Sequence, residues 1–184
     1  MADDPRPVES ERLAMPLLTA SRMERLLAGD ADSVAPEIGA PIPDWWANDA
    51  GRLMRFRLKQ IGKEPASEPW LLRLIVLRDG AAGPVVVGFL NFHGPPDDRG
   101  FAEVGYEVHL DYRGQGYAIE AVRTMFDWAA REHDVHRFRA SISPGNERSE
   151  NLVHKLGMTH VGAQWDDPDG LELIYTVDRW GLSA

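Results

Sequence analysis

The chain contains no cysteine among its 184 residues. That absence excludes disulfides, a thiolate nucleophile and any zinc site built on cysteine. The sequence also lacks an apolar run near the roughly 20 residues that a membrane helix needs. Its first residues are acidic and include two prolines, unlike the apolar core of a secretory signal. We therefore expect a cytoplasmic protein without a leader or a membrane span.

Positive charge is scarce as well, because 20 Lys and Arg stand against 29 Asp and Glu, a formal net charge of −9. This balance argues against direct binding to nucleic acid, which needs clustered basic side chains. An acidic surface attracts cationic partners such as amines, although solubility alone also explains it. The hydrophobic fraction of 43% fits a globular protein. We expect a flexible arm at 1–10 and a single domain at 11–184.

The N-terminal part of the chain predicts one strand and two helices. They are a strand at 12–18, a helix ending at Leu27 before Gly29, a loop at 31–42, and a helix starting at Pro43. In the second helix, Leu53, Phe56 and Ile61 are predicted to form the buried stripe, opposite a basic outer face. Trp45 and Trp46 are expected to pack in the core or to wall a substrate cleft.

The rest of the chain predicts a strand meander followed by alternating helices and strands. The predicted strands are 70–77, 85–92, 101–110, 137–142, 158–163 and 171–177, with a turn at 166–170 before the last one. A long helix follows the third of these strands, and a shorter one spans 146–156. The apolar residues of the long helix recur at helical spacing, as Ala118, Ala121, Val122, Met125, Phe126 and Ala129. This order predicts a mixed α/β fold with one sheet covered by helices.

The most informative segment is the glycine-rich turn that opens the long helix, from Arg113 to Gly116. Backbone N–H groups in a first helical turn have no intrahelical partner and bear partial positive charge. Glycines at 114 and 116 let a phosphate approach the backbone closely, and Arg113 adds a fixed positive charge. The segment therefore predicts a binding site for a phosphate or a pyrophosphate.

Two common phosphate motifs do not fit this turn. The nicotinamide fingerprint needs a third glycine where this chain has Ile119, and the Gly-Lys-Ser/Thr of a P-loop is absent. What remains is Arg113-x-x-Gly116-x-Ala118. It resembles the acetyl-CoA signature Gln/Arg-x-x-Gly-x-Gly/Ala of the GCN5-related N-acetyltransferase (GNAT) superfamily.

The resemblance continues on both sides of the signature. Residues 104–108 look like the family's fourth strand, and 118–121 are similar to the helix of its ribosomal-protein N-acetyltransferase-like branch. A second block, Asn-Glu-Arg-Ser at 146–149 with Lys-Leu-Gly-Met at 155–158, resembles the family's Asn-x-x-Ser/Ala and Lys-Leu-Gly-Phe. The resemblance covers about 12–177. It implies a mostly antiparallel sheet, splayed between the fourth and fifth strands and flanked by helices.

This resemblance implies an acetyl-CoA-dependent N-acetyltransferase that uses no metal. The acceptor would be a protein N-terminus or a small-molecule amine, attacking the thioester directly, since no cysteine is present to form an acetyl intermediate. No nucleic acid or membrane partner is expected, and both a monomer and a homodimer are compatible with the sequence. The implied contacts to acetyl-CoA are Tyr106, Val108, Arg113, Gly114, Gln115, Gly116, Tyr117, Ala118, Asn146 and Ser149.

The resemblance also suggests catalytic residues. Glu103 lies close to the start of the fourth strand, where some members of the family have their base, and Glu107 shares its strand face. Asn146 would lie beside the thioester. Other members use a Glu and a Tyr at positions where this chain has Ser141 and Val153. A water chain, or positioning of a neutral amine, could replace a dedicated base.

The histidines are weaker candidates. His109 shares the strand face of Glu103 and is the alternative base, and His93 could also line the cleft. His133 and His136 form an HxxH pair, which we interpret as helix-end residues rather than zinc ligands.

Two other functions remain open from the sequence. One is a degenerate acyl-CoA-binding module, because of Ser141 and Val153. The other is a site for nucleotide phosphates.

Overall fold

The computed structural model describes residues 5–167 and 170–182. The strands are β1 (Val8–Glu9), β2 (Leu13–Met15), β3 (Arg73–Leu77), β4 (Val85–Phe92), β5 (Phe101–Val108), β6 (Arg137–Ile142), β7 (Thr159–Asp166) and β8 (Gly170–Val177). The helices are α1 (Ala20–Leu27), α2 (Ala31–Ile38), α3 (Asp44–Asp49), α4 (Gly51–Lys63), α5 (Tyr117–His133) and α6 (Glu147–Lys155). Short 3-10 turns lie at Pro65–Trp70 and Leu110–Tyr112. None of the described helices is long and apolar enough to cross a membrane.

All eight strands form one sheet in the order β1-β2-β3-β4-β5-β6-β8-β7. Every neighbouring pair is antiparallel except β5 and β6. That parallel pair joins only three residue pairs, from Phe101–Arg137 to Glu103–Arg139. Both strands then continue without pairing to each other, to Val108 and Ile142. The predicted mixed α/β fold and the predicted splay, which lies between β5 and β6, are confirmed.

The sheet separates two apolar cores. On one face, α5 and α6 cover the sheet, and Phe126 of α5 stacks on Phe138 of β6 with ring centroids 3.8 Å apart. On the other face, α1 to α4 cover it, with Trp46 and Met54 buried against Leu74 of β3. Because side chains alternate along each strand, a site at the splay is flanked by α5 and α6 on one face of the sheet and by α1 to α4 on the other.

The predicted loop at 31–42 is wrong, because most of it is the helix α2. The Asp30 side chain caps α2 by accepting the N–H of Ser33, and Gly39 ends it in the left-handed region. Val34 and Ile38, four residues apart, are both buried and anchor the helix to the core. Pro36 lies inside α2, and its presence in the sequence had favoured a loop.

The predicted second helix is two helices that meet at Ala50, and its predicted buried stripe is partly wrong. Phe56 is 59% exposed, whereas Met54 and Arg57 are buried. Leu53 and Ile61 do pack against the core, as predicted. The face of α4 that meets the core carries Met54 and Arg57, three residues apart, so an arginine from the predicted basic face turns inward.

Three further boundaries differ from the sequence predictions. The predicted strand at 70–77 begins only at Arg73, because the 3-10 turn with Pro65 at its start occupies the preceding residues. The strand predicted at 101–110 ends at Val108, before the second 3-10 turn. Within the predicted arm, Val8 pairs with Met15 of β2, so order begins before Glu11. Residues 1–4, and 168–169 of the predicted turn, lie outside the described residues.

The HxxH pair is used for packing. His133 lies against the rings of Trp70 and Trp128, and His136 hydrogen-bonds the Trp180 carbonyl through Nδ1 at 2.8 Å. In the part of the chain that the structure describes, no three His, Asp or Glu side chains are grouped so that they could hold a metal ion.

The ion pairs between α1 and α2 predict a pH-dependent stability. Glu37 pairs with Arg22 at 2.9 Å and Arg25 at 2.8 Å, and hydrogen bonds from Arg25 and then Arg22 lower the pKa of Glu37 to about 2. A pKa below the unfolded value stabilises the fold above about pH 4.5, and this is lost as the pH falls toward 2. Since Glu37 is 38% exposed, we expect Glu37→Gln to cost about 1 kcal/mol at pH 7 in urea unfolding.

The matched control is Glu24→Gln on the exposed side of α1, which should leave the free energy of unfolding nearly unchanged. The cost of Glu37→Gln should shrink as the pH approaches 2. A cost that stayed constant from pH 7 to that value would contradict the assigned ion pair.

Candidate functional site

A groove of about 950 Å³ opens where β5 parts from β6, between the start of α5 and the helix α6. Its walls come from the end of β5, the loop before α5, the first turn of α5 and one face of α6. The lining residues are Tyr106, Glu107, Val108, Leu110, Tyr112, Arg113, Gly114, Gly116, Tyr117, Ala118, Ile119, Asn146, Arg148, Ser149, Asn151, Leu152 and Lys155. Nine of the ten predicted cofactor contacts are in this set, and Gln115 is not.

The start of α5 presents free amides to this groove. Gly116 is the N-cap in the left-handed region, with φ 83°, and no side chain caps the helix. The first backbone bond of α5 runs from the Glu120 N–H to the Gly116 carbonyl, and no described backbone carbonyl accepts from the amides of 114–119. A side chain built on Gly114 would meet no atom within 4 Å. The turn is therefore an open cradle for an anion.

Arg113 and Gln115 contribute to the cradle in different ways. The Arg113 Nε–H donates to the Val108 carbonyl at 2.8 Å, which ties the loop to the end of β5. Its guanidinium lies in the groove wall and supplies positive charge. The Gln115 side chain instead accepts from the Tyr117 hydroxyl at 3.1 Å and does not line the groove, whereas its backbone N–H is one of the open amides of 114–119.

An ion pair from the N-terminal strand compensates a carboxylate beside the cradle. Glu120, in the first turn of α5, pairs with Arg12 at 2.6 Å and accepts from the Ser10 hydroxyl at 2.7 Å. Partial burial alone would raise the pKa of Glu120, but the hydrogen bonds from Ser10 and Arg12 lower it. Arg12 also donates to the Gln115 carbonyl at 3.1 Å. The carboxylate therefore stays ionised, and its charge is balanced next to the predicted anion.

Three predicted residues meet at the inner part of the groove. Asn146 caps α6, its Oδ1 accepting from the Ser149 N–H at 3.3 Å, so its Nδ2 remains as a donor. The Tyr106 hydroxyl is buried beside the Ser149 hydroxyl without a well-formed hydrogen bond among the described residues. Burial raises the pKa of Tyr106, which Ser149 opposes, so the phenol is protonated at neutral pH.

Beyond the predicted Asn146 and Ser149, α6 contributes side chains to the groove that were not predicted from the sequence. Arg148, Leu152 and Lys155 line it from one helix face. Their spacing of four and three residues is the signal that could have identified them. Together with Arg113, the two basic side chains give the groove positive charge within a chain of net charge −9.

Glu103 lies at the closed end of the splay, on the opposite face of the sheet from α5. Its carboxylate accepts from the Ser141 hydroxyl at 2.5 Å and lies 3.5 Å from the Arg139 Nε. The Nδ1 of His93 is 3.7 Å away. The two predicted catalytic residues of β5 are therefore in different surroundings, since Glu107 is exposed and lines the groove.

The structure also describes the surroundings of His109, the alternative base, and of Val153, the position where other members of the family have a Tyr. His109 stacks on Trp45 with ring centroids 4.7 Å apart, and its Nδ1 faces Asp111 at 3.6 Å rather than Glu103. Trp46 is buried in the core. Val153 is fully buried and does not line the groove.

Known proteins match this chain in sequence. A profile of the acetyltransferase (GNAT) domain matches residues 15–159, more than half of the chain. The N-acetyltransferase YjdG of Bacillus subtilis, itself uncharacterized, is 32% identical over 82 residues, 44% of this chain and 49% of YjdG. The chain spans about half or less of the length of the curated relatives that it matches.

Solved structures match the fold over nearly the whole chain. The ribosomal-protein-S5-alanine acetyltransferase from Vibrio fischeri has a TM-score of 0.64 at 17% identity, covering 98% of this chain and 100% of that one. RimL, a ribosomal L7/L12 alpha-N-protein acetyltransferase solved with coenzyme A, has a TM-score of 0.62 at 17% identity, covering 94% and 97%. At this identity the likeness is evidence for the fold alone.

The open cradle predicts that Gly116→Val weakens coenzyme A binding. A β-branched side chain at φ 83° is strained, which would disturb the turn that presents the amides, and its Cβ would lie 3.4 Å from the Arg12 guanidinium. We expect at least a tenfold rise in Kd, about 1.4 kcal/mol, by isothermal titration calorimetry. Gly29→Val is the matched control, because Gly29 has φ 84° in open space away from the groove. Unchanged affinity in Gly116→Val would contradict the cradle.

The balanced carboxylate predicts a double-mutant result. Arg12→Met should weaken coenzyme A binding about tenfold, because it leaves the Glu120 charge uncompensated near the phosphates. Adding Glu120→Gln should restore most of that loss. If the double variant bound as weakly as Arg12→Met, Arg12 would be acting by contact with the ligand and not through Glu120.

Proposed function

Because the chain belongs to the acetyltransferase (GNAT) domain family, we propose that it transfers an acetyl group from acetyl-CoA to a primary amine. The observation that most supports this function is the groove of about 950 Å³ at the splay, entered past an uncapped helix start. Coenzyme A has a pyrophosphate at one end, which would bind at the helix start. It also has an extended arm, which would lie between the two unpaired strand edges. The fold alone is common to many functions, so the argument rests on this site.

The residues of the groove fit coenzyme A at both ends. The amides of 114–119 and the Arg113 guanidinium would bind the pyrophosphate. The backbone of Tyr106 and Val108, which faces the splay without a β6 partner, would hydrogen-bond the pantetheine arm. Asn146 and Ser149 would lie along the same arm. Arg148 and Lys155 would add charge at the outer end.

The bound co-substrate supplies an activated acyl group, a thioester carbonyl open to attack by a neutral amine. The residues of this chain would hold that carbonyl near the closed end of the splay, in reach of Glu103 and its neighbours. The backbone N–H of Tyr106 would stabilise the developing oxyanion. Positioning of the amine by this wall would account for much of the rate.

We propose a protein N-terminus or a small amine as the acceptor, in a cytoplasmic enzyme that uses no metal. An α-amino group has a pKa near 7.7–8.0, so a large share is neutral at pH 7.5, whereas a lysine amine near 10.4 is almost fully charged. The acetyltransferases of Vibrio fischeri and the L7/L12 enzyme are named for protein substrates, and the second for an N-terminal one. Both points favour α-amines over lysine side chains.

The function is tested by thiol release from acetyl-CoA across an amine panel. Because the chain has no cysteine, a thiol reagent reports coenzyme A alone. The panel contains a peptide with a free N-terminus, the same peptide Nα-acetylated but with a lysine, and benzylamine. We expect release above the hydrolysis rate with the free N-terminus.

Thiol release and coenzyme A binding, measured together, separate the other two functions. Tight coenzyme A binding without thiol release for any amine would establish a binding module, for which the residues at Ser141 and Val153 are the motive. ATP displacing coenzyme A in competition binding would overturn the proposal in favour of a nucleotide site.

A further inference from the structure

His93 follows the last residue of β4 and lies directly across from Glu103. The register of β4 and β5 pairs Phe92 with Val104, and the His93 N–H donates to the Glu103 carbonyl at 2.8 Å. The two side chains share one face of the sheet, with Nδ1 3.7 Å from the carboxylate. The His93 side chain is about half exposed, 49%, so part of the ring faces solvent.

The second imidazole nitrogen lies against Gly105 of β5. A Cβ added to Gly105 would come within 3.1 Å of the His93 Nε2 and 3.0 Å of the Asn91 Nδ2. Gly105 therefore provides the space in which the ring lies. Gly105 is also adjacent to Tyr106, whose backbone would hold the acyl end of the arm. The Nε2 is thus beside the proposed position of the thioester, on the face away from α5.

A hydrogen-bond network around the buried Arg57 holds the backbone of this histidine from the α4 side. The Arg57 guanidinium donates to Gln60 Oε1 at 2.7 Å and to Asn91 Oδ1 at 2.9 Å. Gln60 Nε2 then donates to the His93 carbonyl at 2.8 Å. Arg57 is only 5% exposed and forms no ion pair with a described carboxylate, and burial lowers its pKa to about 10. A buried charge of this kind is costly and acts on nearby groups at low dielectric.

The charges around His93 come from four elements. Burial lowers the pKa of His93, Glu103 of β5 and Glu172 of β8 raise it, and Arg57 of α4 and Arg139 of β6 lower it. The net shift is downward from 6.5, so the imidazole is neutral at pH 7. In the tautomer that carries its proton on Nδ1, the nitrogen that faces the Glu103 carboxylate at 3.7 Å, the Nε2 lone pair is free to accept a proton.

We propose that His93 is the general base of the acetyl transfer, with Glu103 and Arg57 as its positioning residues. The inference rests on the proposed function. As the amine nitrogen bonds to the acetyl carbon and the carbon–sulfur bond breaks, His93 Nε2 takes the proton from the amine nitrogen. The sulfur leaves as a thiolate and is protonated from solvent, which also receives the proton of His93 after release. Glu103 orients the ring and stabilises its charged form.

The arrangement favours His93 over the carboxylates of β5. Glu103 already accepts from Ser141 and faces Arg139, so both of its oxygens are engaged. Glu107 is exposed and lines the groove, and among the described residues no hydrogen bond or ion pair holds its carboxylate. His109 is stacked on Trp45. His93 has a free acceptor nitrogen, a neutral form at pH 7 and a fixed backbone.

The kinetic test uses His93→Ala, with His160→Gln as the control at an exposed histidine outside the site. We expect kcat to fall by on the order of 10² while KM for acetyl-CoA stays within about twofold. Added imidazole should restore part of the rate in His93→Ala and none in the control. If Glu103→Gln lost as much rate as His93→Ala, and imidazole did not rescue His93→Ala, Glu103 would be the base and the proposal would be overturned.

The pH dependence gives a readout that a purely structural role would not move. The rate requires neutral His93 and should fall as the pH drops below its pKa. Glu103→Gln removes a charge that raises this pKa, so the acidic limb of kcat should move to lower pH. Arg57→Gln removes a charge that lowers it and should move the limb to higher pH. Limbs that stayed in place, or moved in the same direction, would refute the assignment.

The titration of His93 can also be measured without turnover. In the resting protein, the His93 Cε1–H signal, assigned among six histidines by its loss in His93→Ala, should titrate below 6.5. The same two variants should shift it in opposite directions, with thermal melting confirming that each is folded. An enzyme without acetyl transfer to any amine would end the proposed function, whereas a His93 pKa insensitive to both charges would end this inference alone.

Discussion

The parting of β5 and β6 after the pair Glu103–Arg139 is the constraint on which the site depends. Strands in a sheet normally satisfy each other's N–H and C=O groups, and leaving them unpaired inside a protein is costly. Here the cost falls on the inner edges of both strands beyond that pair. A ligand with its own amides along an extended arm would satisfy these groups. The break in the sheet is therefore suited to a ligand whose amide groups can pair with the free backbone groups of the strands.

The sheet also divides the chemistry between its two faces. On the α5 and α6 face, helix amides and basic side chains such as Arg113 collect positive charge for an anion. On the α1 to α4 face, Glu103 and His93 collect groups that handle protons. Side-chain alternation along β5 makes this division possible, since neighbouring residues point to opposite faces.

The sequence could predict the anion cradle because every part of it is local. The glycines, Arg113 and the start of α5 lie within one short stretch, and their geometry follows from general properties of helix ends. The long amphipathic pattern of α5 was equally local. Its apolar members within 121–129 are all buried, namely Ala121, Val122, Met125, Phe126 and Ala129. The helix α2 was missed because its length is near the minimum and Pro36 suggested a loop. The inward turn of Arg57 was missed because the predicted stripe left out Met54, which is buried and lies on the same face of α4 three residues earlier.

The proton-handling wall could not be predicted in the same way, because its parts come together only through register. His93 and Glu103 are ten positions apart, joined by a loop that is too long to fix the pairing by turn type. A slip by one residue would send His93 to the opposite face, toward α5. Asn91 and Arg57 add a tie to α4 that has no counterpart in the local sequence.

The position of Gly105 links these two levels of description. In the sequence it is a glycine inside a strand, where it weakens the strand and has no helix or turn to justify it. In the structure, any side chain there would meet Asn91 and His93 at about 3 Å. Gly105 thus leaves the strand without a side chain to pack at this position. The imidazole of His93, which follows the neighbouring strand β4, lies in that space instead. A residue that costs stability in this place is explained by the chemistry that it leaves room for.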